Sequence, residues 1–142
     1  AVADAGGRAI NEFWHKVGRQ MLNIRFVPSL GWQRYAELMA SAACMVGNSS
    51  SGLIEAPSCG LPVVNVGGRQ DGRLKPANVI DVPCETAAIA AGIRKALSPE
   101  FRTSLVDLVN PYYAGGAVER IMAVLRDLPP REKLLRKEFV TL

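Results

Sequence analysis

Three consecutive serines followed by a glycine, Ser49-Ser50-Ser51-Gly52, stand in the stretch GNSSSGLIEAPSCGLPVVNVGGRQDGR at residues 47–73. Glu55 falls one helical turn after Ser51, and Arg69 and Arg73 lie in a glycine-rich loop further on. These residue types converge on one kind of chemistry. The first turn of a helix has unpaired N–H groups and the positive end of the backbone dipole, so it attracts anions. Serine hydroxyls add donors, and Gly52 lets an anion approach the backbone with no Cβ in the way. The dipole contributes only ~0.3–1 kcal/mol, so a phosphate needs further partners. Guanidinium forks match phosphate oxygens, which makes Arg69 and Arg73 the candidates. A carboxylate at Glu55 would repel a phosphate at contact distance but suits the hydroxyls of a sugar. Phosphate at the serines, ribose at Glu55 and an arginine across the cleft together describe a nucleotide.

Plainer readings account for part of this pattern. A serine at a helix start is commonly an N-cap worth ~1 kcal/mol, which explains one serine of the three. Gly47 and Gly67-Gly68 also suit ordinary turns. The phosphate loop G-x-x-x-x-G-K-[ST] is absent. The segment Asn48-Ser49-Ser50-Ser51-Gly52 approaches a nucleophile elbow, with Asn48 in place of the first glycine. That elbow requires a histidine later in the chain, whereas the single His15 comes before it, on an amphipathic stretch. A hydrolase is disfavoured on that ground. The residues by themselves leave a nucleotide or phosphate site and a set of structural caps both open.

Short apolar runs alternate with helical stretches around these residues. Ile10, Phe13, Trp14 and Val17 recur at helical spacing over 8–17, and Tyr35, Leu38, Met39 and Ala42 do so over 33–43. Residues 24–27 read as a strand stopped by Pro28, 44–46 as a short buried strand, 61–66 as another and 78–82 as a third. Residues 51–58 read as a helix with a glycine stop at Gly60, and 86–97 as an alanine-rich helix. Further helices are expected over 100–109, 116–128 and 130–139, with Pro129-Pro130 breaking the last two apart. Such alternation gives an α/β fold, an open parallel sheet with helices on both faces. Ligands of such sheets bind beyond the carboxyl ends of the strands. The serine cluster and the 67–73 loop each follow such an end, so both are expected at one sheet edge.

The chain has 142 residues, 49% apolar and 21% charged, the composition of one ordinary globular domain. No apolar run reaches the ~18 residues of a membrane helix, and the first residues lack the pattern of a secretory signal. Cys44, Cys59 and Cys84 are odd in number and widely spaced, which suits a reducing cytoplasm and argues against a disulfide framework or zinc site. The net charge of +4 does not form a nucleic-acid surface. Arg131, Lys133, Arg136 and Lys137 alternate with Glu132 and Glu138 in a solvated helix, and no basic patch interleaves with aromatics.

The run from Gly47 to Gly52, then Glu55, then Gly68-Arg69-Gln70 with Gly72-Arg73, closely resembles the signature of hydrolysing UDP-N-acetylglucosamine 2-epimerases. The branch it is most similar to supplies N-acetylmannosamine for sialic acids and related nonulosonates. ADAGGR at 3–8, NVIDV at 78–82 and NPYYAGGAVERI at 110–121 also resemble family segments, in family order. The resemblance implies the Rossmann-like, UDP-binding carboxyl-terminal domain of a two-domain glycosyltransferase-B arrangement. By it, Ser49 and Ser50 contact the diphosphate with help from the backbone of Ser51 and Gly52. Glu55 holds the ribose hydroxyls, Arg69 neutralises phosphate charge, and Ser29-Leu30 falls where the family's uracil contacts lie. The family eliminates UDP to an enzyme-bound glycal and then adds water, with no metal or other cofactor.

The sequence departs from the family pattern at Val2, where an asparagine commonly stands two places before the aspartate. It also has no counterpart of the amino-terminal domain, which carries the acid/base residues, or of the first strand and helix of the carboxyl-terminal one. The expectation is therefore a partial UDP-binding domain over 1–142, inactive alone, whose partner is a missing amino-terminal domain or a second copy. Two alternatives stand beside it: a non-catalytic module for UDP or UDP-N-acetylglucosamine, and a domain of a glycosyltransferase of the same architecture. The R-Q-x-G-R loop is not expected in such a transferase.

Overall fold

The computed structural model describes residues 5–135 and divides into two compact units, Ala1–Ala42 and Ala43–Leu142. Val2, the start of the 3–8 segment and the expected helical residues 136–139 lie outside the described residues.

In the first unit, helix α1 (Ala5–Gln20) carries Ile10, Phe13 and Trp14 at the expected spacing, all exposed. The Phe13 and Trp14 rings meet edge to face at 5.4 Å. Residues 24–27 take no regular secondary structure and join no ladder among the described residues. A strand exists by pairing as much as by its own dihedrals. Here the segment folds back on α1, with the Phe26 ring 4.2 Å from His15. The expected strand is thus an irregular segment packed on α1 through Phe26. Helix α2 (Gly31–Ser41) follows and buries Met39.

The second unit begins with β1 (Met45–Gly47) and α3 (Ser51–Ile54). It continues through β2 (Val63–Val66), β3 (Val79–Val82) and α4 (Thr86–Ala96), then α5 (Pro99–Thr103), α6 (Ala117–Arg126) and α7 (Arg131–Leu135). The sheet order is β1-β2-β3, all parallel, with Val63 opposite both Met45 and Val79. Successive residues of a strand face opposite sides of the sheet, so Val63 and Val64 look in opposite directions. A Cβ added to Gly52 of α3 would lie 2.8 Å from Val63 Cγ1, and one added to Gly92 of α4 would lie 2.9 Å from Val64 Cγ1. Helices therefore press on both faces of the central strand, giving the open Rossmann-like α/β layering. Leu53, Ala56, Leu61, Val63, Val64 and Ala96 form the buried centre.

Two expected helices are shorter than their patterns. The 51–58 stretch is helical only to Ile54 and then tightens into a 3-10 turn, Ala56–Cys59. Pro57 has no N–H for the Leu53 carbonyl and its ring crowds that oxygen, so the α-helical ladder cannot continue. The Ser58 amide instead bonds the Glu55 carbonyl at 3.1 Å. Gly60 closes the turn at φ 59°, the glycine stop expected there. Helix α5 starts well, with Ser98 Oγ accepting from the Phe101 amide at 3.2 Å, but it ends at Thr103. The hydroxyl of Ser104 donates back to the Phe101 carbonyl at 2.7 Å, a local bond that competes with continued helix.

Candidate functional site

Parallel pairing places the carboxyl ends of β1 and β2 side by side. The serine segment leaves the first and the arginine loop leaves the second. Gln70 joins them: its Nε2 donates to the Asn48 carbonyl at 2.6 Å, and the residue is 2% exposed. Arg69 lies in the same 3-10 turn, Gly68–Gln70, and its Nη1 reaches Asn48 Oδ1 at 3.4 Å. The structure thus brings the serines and Arg69 to one rim, as the alternation of elements implied.

Within the serine segment the bonding differs from a simple cap. Ser50 occupies the N-cap of α3 and its side chain makes no capping bond. The Ser49 hydroxyl accepts from the Ser51 amide at 3.3 Å, and the Ser49 carbonyl accepts from the Gly52 amide at 3.2 Å. The Ser49 and Ser50 amides have no acceptor among the described residues. Ser51 Oγ donates to Glu55 Oε2 at 2.6 Å, which ties the serine run to the exposed carboxylate. Gly52 is buried, and the space left by its absent Cβ is filled by Val63, so that lack serves helix–sheet packing. Because α3 has a single turn, few peptide dipoles add up at its start. Hydroxyls, free amides and Arg69 must supply most of any anion affinity.

The arginine loop continues into a polar corner. Asn65 and Asp81 are opposite each other in β2 and β3, and Asn65 Nδ2 donates to Asp81 Oδ1 at 2.7 Å. Lys75 Nζ bonds Asp81 at 2.8 Å and Asp71 at 3.3 Å. Partial burial pushes the Asp81 carboxyl up, but bonds from Lys75 and Asn65 and the lysine charge together hold it below the usual carboxylate range. The Lys75 ammonium is raised chiefly by its hydrogen bond to Asp81. Asp71, Lys75 and Asp81 line an open cleft of about 330 Å³ with Gly67, Gly68, Val82 and Pro83. Arg73 is exposed on the turn beyond, and among the described residues no hydrogen bond ties its side chain to the serines. Ser29 and Leu30 belong to the first unit, where Ser29 Oγ accepts from the Gly31 amide at 3.4 Å.

Residue types and spacing missed several members of this rim. Gln70 stood inside the R-Q-x-G-R motif, and Asn110 and Tyr112 inside the 110–121 segment, but neither motif showed what the side chains bind. Asn65 is a polar residue in an apolar strand, and that break of pattern was the available signal.

Comparison with known proteins covers these same segments. The family model for UDP-N-acetylglucosamine 2-epimerase matches residues 1–126. The chain is 37% identical over 136 residues to the UDP-N,N'-diacetylbacillosamine 2-epimerase (hydrolyzing) of Legionella pneumophila, covering 95% of this chain and 34% of that protein. It is 34% identical over 143 residues to the GDP/UDP-N,N'-diacetylbacillosamine 2-epimerase (hydrolyzing) of Campylobacter jejuni, covering 100% and 37%. It is also 34% identical over 115 residues to the polysialic acid biosynthesis protein P7 of Escherichia coli, covering 81% and 29%. The chain spans about a third of the length of these curated relatives. With the serine rim, the arginine loop and the 110–121 segment all inside the matched range, the chain belongs to the UDP-N-acetylglucosamine 2-epimerase family.

Proposed function

We propose that this chain is the UDP-binding part of a hydrolysing 2-epimerase acting on UDP-N-acetylglucosamine or a related UDP-sugar. The observation that carries the reading is the joining of the serine segment to the Arg69 loop at adjacent strand ends by Gln70 and Arg69. In this reading Ser49, Ser50 and the backbone of Ser51 and Gly52 face the diphosphate, and Arg69 offsets its charge, with Arg73 further along the loop. Glu55, oriented by Ser51, takes the ribose hydroxyls. Elimination makes the diphosphate a leaving group that gains charge, so fixed donors aimed at it stabilise the transition state. The chain takes the place of a carboxyl-terminal glycosyltransferase-B domain, and an amino-terminal domain supplies the acid and base. The free cysteines suit a reducing, cytoplasmic setting.

Titration calorimetry with UDP, UMP and N-acetylglucosamine tests the reading. UDP is expected to bind more tightly than UMP, and the free sugar not to bind. Equal or absent binding of all three by folded protein overturns it. One observation favours a binding module for the chain taken alone: Glu55 is engaged by Ser51 and Asp71 by Lys75, so neither rim carboxylate stands free as a base.

A further inference from the structure

Residues 110–112 have no part in the contacts proposed above, yet they touch both sides of the rim. Asn110 Nδ2 donates to the Ile54 carbonyl at 2.9 Å and to Ser58 Oγ at 2.7 Å. The Ile54 carbonyl needs such a partner, because the break at Pro57 sends the Ser58 amide to Glu55 instead. Asn110 thus holds the two residues that flank the Glu55 turn. Its other amide atom, Oδ1, accepts from the Tyr112 amide at 2.9 Å, the local turn that asparagine favours. That turn fixes where Tyr112 begins, and Tyr112 Oη donates to the Leu74 carbonyl at 2.7 Å. Leu74 directly follows Arg73.

We propose that Asn110 and Tyr112 are positioning residues, forming a clasp that sets the Glu55 turn against the loop carrying Arg69 and Arg73. The inference rests on the nucleotide reading of those three residues. Ribose and diphosphate are joined in one ligand, so the spacing between Glu55 and the arginines decides whether both grips close together. Residues 71–74 are exposed, and such a loop has little packing to hold it. Gln70 pins its start to Asn48 and Tyr112 pins its end. Both clasp side chains bond protein groups and leave the ligand to others.

Amide hydrogen exchange, with affinities for uridine and UDP, tests the clasp on Tyr112→Phe and Asn110→Ala. Tyr112→Phe is expected to speed exchange over 68–75 but not in β2, and to weaken UDP about fivefold, the scale of one hydrogen bond. Its affinity for uridine stays unchanged, because the ribose grip lies at the other end. Asn110→Ala, which also removes the acceptor of the Tyr112 amide, is expected to speed exchange over both 54–60 and 68–75 and to weaken both uridine and UDP. Should Asn110→Ala fail to fold, Tyr112→Phe, which loses one hydroxyl from a partly exposed ring, carries the test. Unchanged exchange over 68–75 in Tyr112→Phe overturns the clasp, whatever UDP does. A loosened loop with unaltered UDP affinity, or equal loss of uridine and UDP in Tyr112→Phe, overturns the positioning role. Folded wild type that ignores UDP defeats the nucleotide reading, and exchange then decides the clasp alone.

Discussion

Arg69 is exposed and, among the described residues, its side chain makes one long bond, to Asn48 Oδ1 at 3.4 Å. Its guanidinium is therefore available to an anion at little cost to the fold. Arg69→Ala is expected to weaken UDP binding by ~1.5–3 kcal/mol, the range for a charge-assisted hydrogen bond, with the melting temperature nearly unchanged. Calorimetry and thermal melts on the same samples check this. A variant that melts early but keeps full affinity per folded molecule would make Arg69 structural. Its neighbour Gln70 is the opposite case, buried with its Nε2 on the Asn48 carbonyl and its Oε1 without a partner among the described residues. Adjacent positions of one motif thus divide into a free donor and a fixed strut. The serine run also changes its meaning at this scale. The cap that would explain one serine of the three is not a side-chain bond of Ser50. Ser51 donates to Glu55, while Ser49 supplies the acceptor for the Ser51 amide.

Helices α3 and α4 approach the sheet through glycines, so their closeness is a packing property of the elements. Gly92→Ala sets two effects against each other. Alanine is favoured over glycine inside a helix by ~1 kcal/mol. The new methyl would sit 2.9 Å from Val64 Cγ1 and 3.0 Å from Val82 Cγ1. Both are short, stiff side chains and Val64 is fully buried. Overpacking of this kind costs ~1–3 kcal/mol, so the net change is expected to be destabilising. Denaturant unfolding of the variant checks it, and a stabilised Gly92→Ala would mean that α4 can slide off the sheet cheaply. The same scale explains the misread elements. The 51–58 pattern was helical in its apolar spacing, but Pro57 shortened it. Residues 24–27 had a strand's composition and pair with no strand among the described residues.

At the scale of the molecule, the chain alone is not expected to epimerise. Elimination needs a base beside the acetamido group and an acid on the leaving side, each within hydrogen-bond reach. Glu55 and Asp71 are both engaged, and a ligand on an open rim stays in water, where electrostatic stabilisation is weakest. An assay of UDP release from UDP-N-acetylglucosamine should read at background, and turnover abolished by Glu55→Gln would show that the chain carries its own catalytic group. The alternation of apolar runs and helical stretches was enough by itself to specify a parallel α/β sheet. It also placed the serines and arginines at one carboxyl edge, because side-chain period and connection handedness are local properties of the chain. Tertiary structure alone decided which groups close that edge. Gln70 reaches back to Asn48, Tyr112 to Leu74 and Asn110 to Ile54, across sequence separations of 22, 38 and 56 residues. Bonds of that span depend on where the strands and turns come to rest together, and no local propensity encodes them.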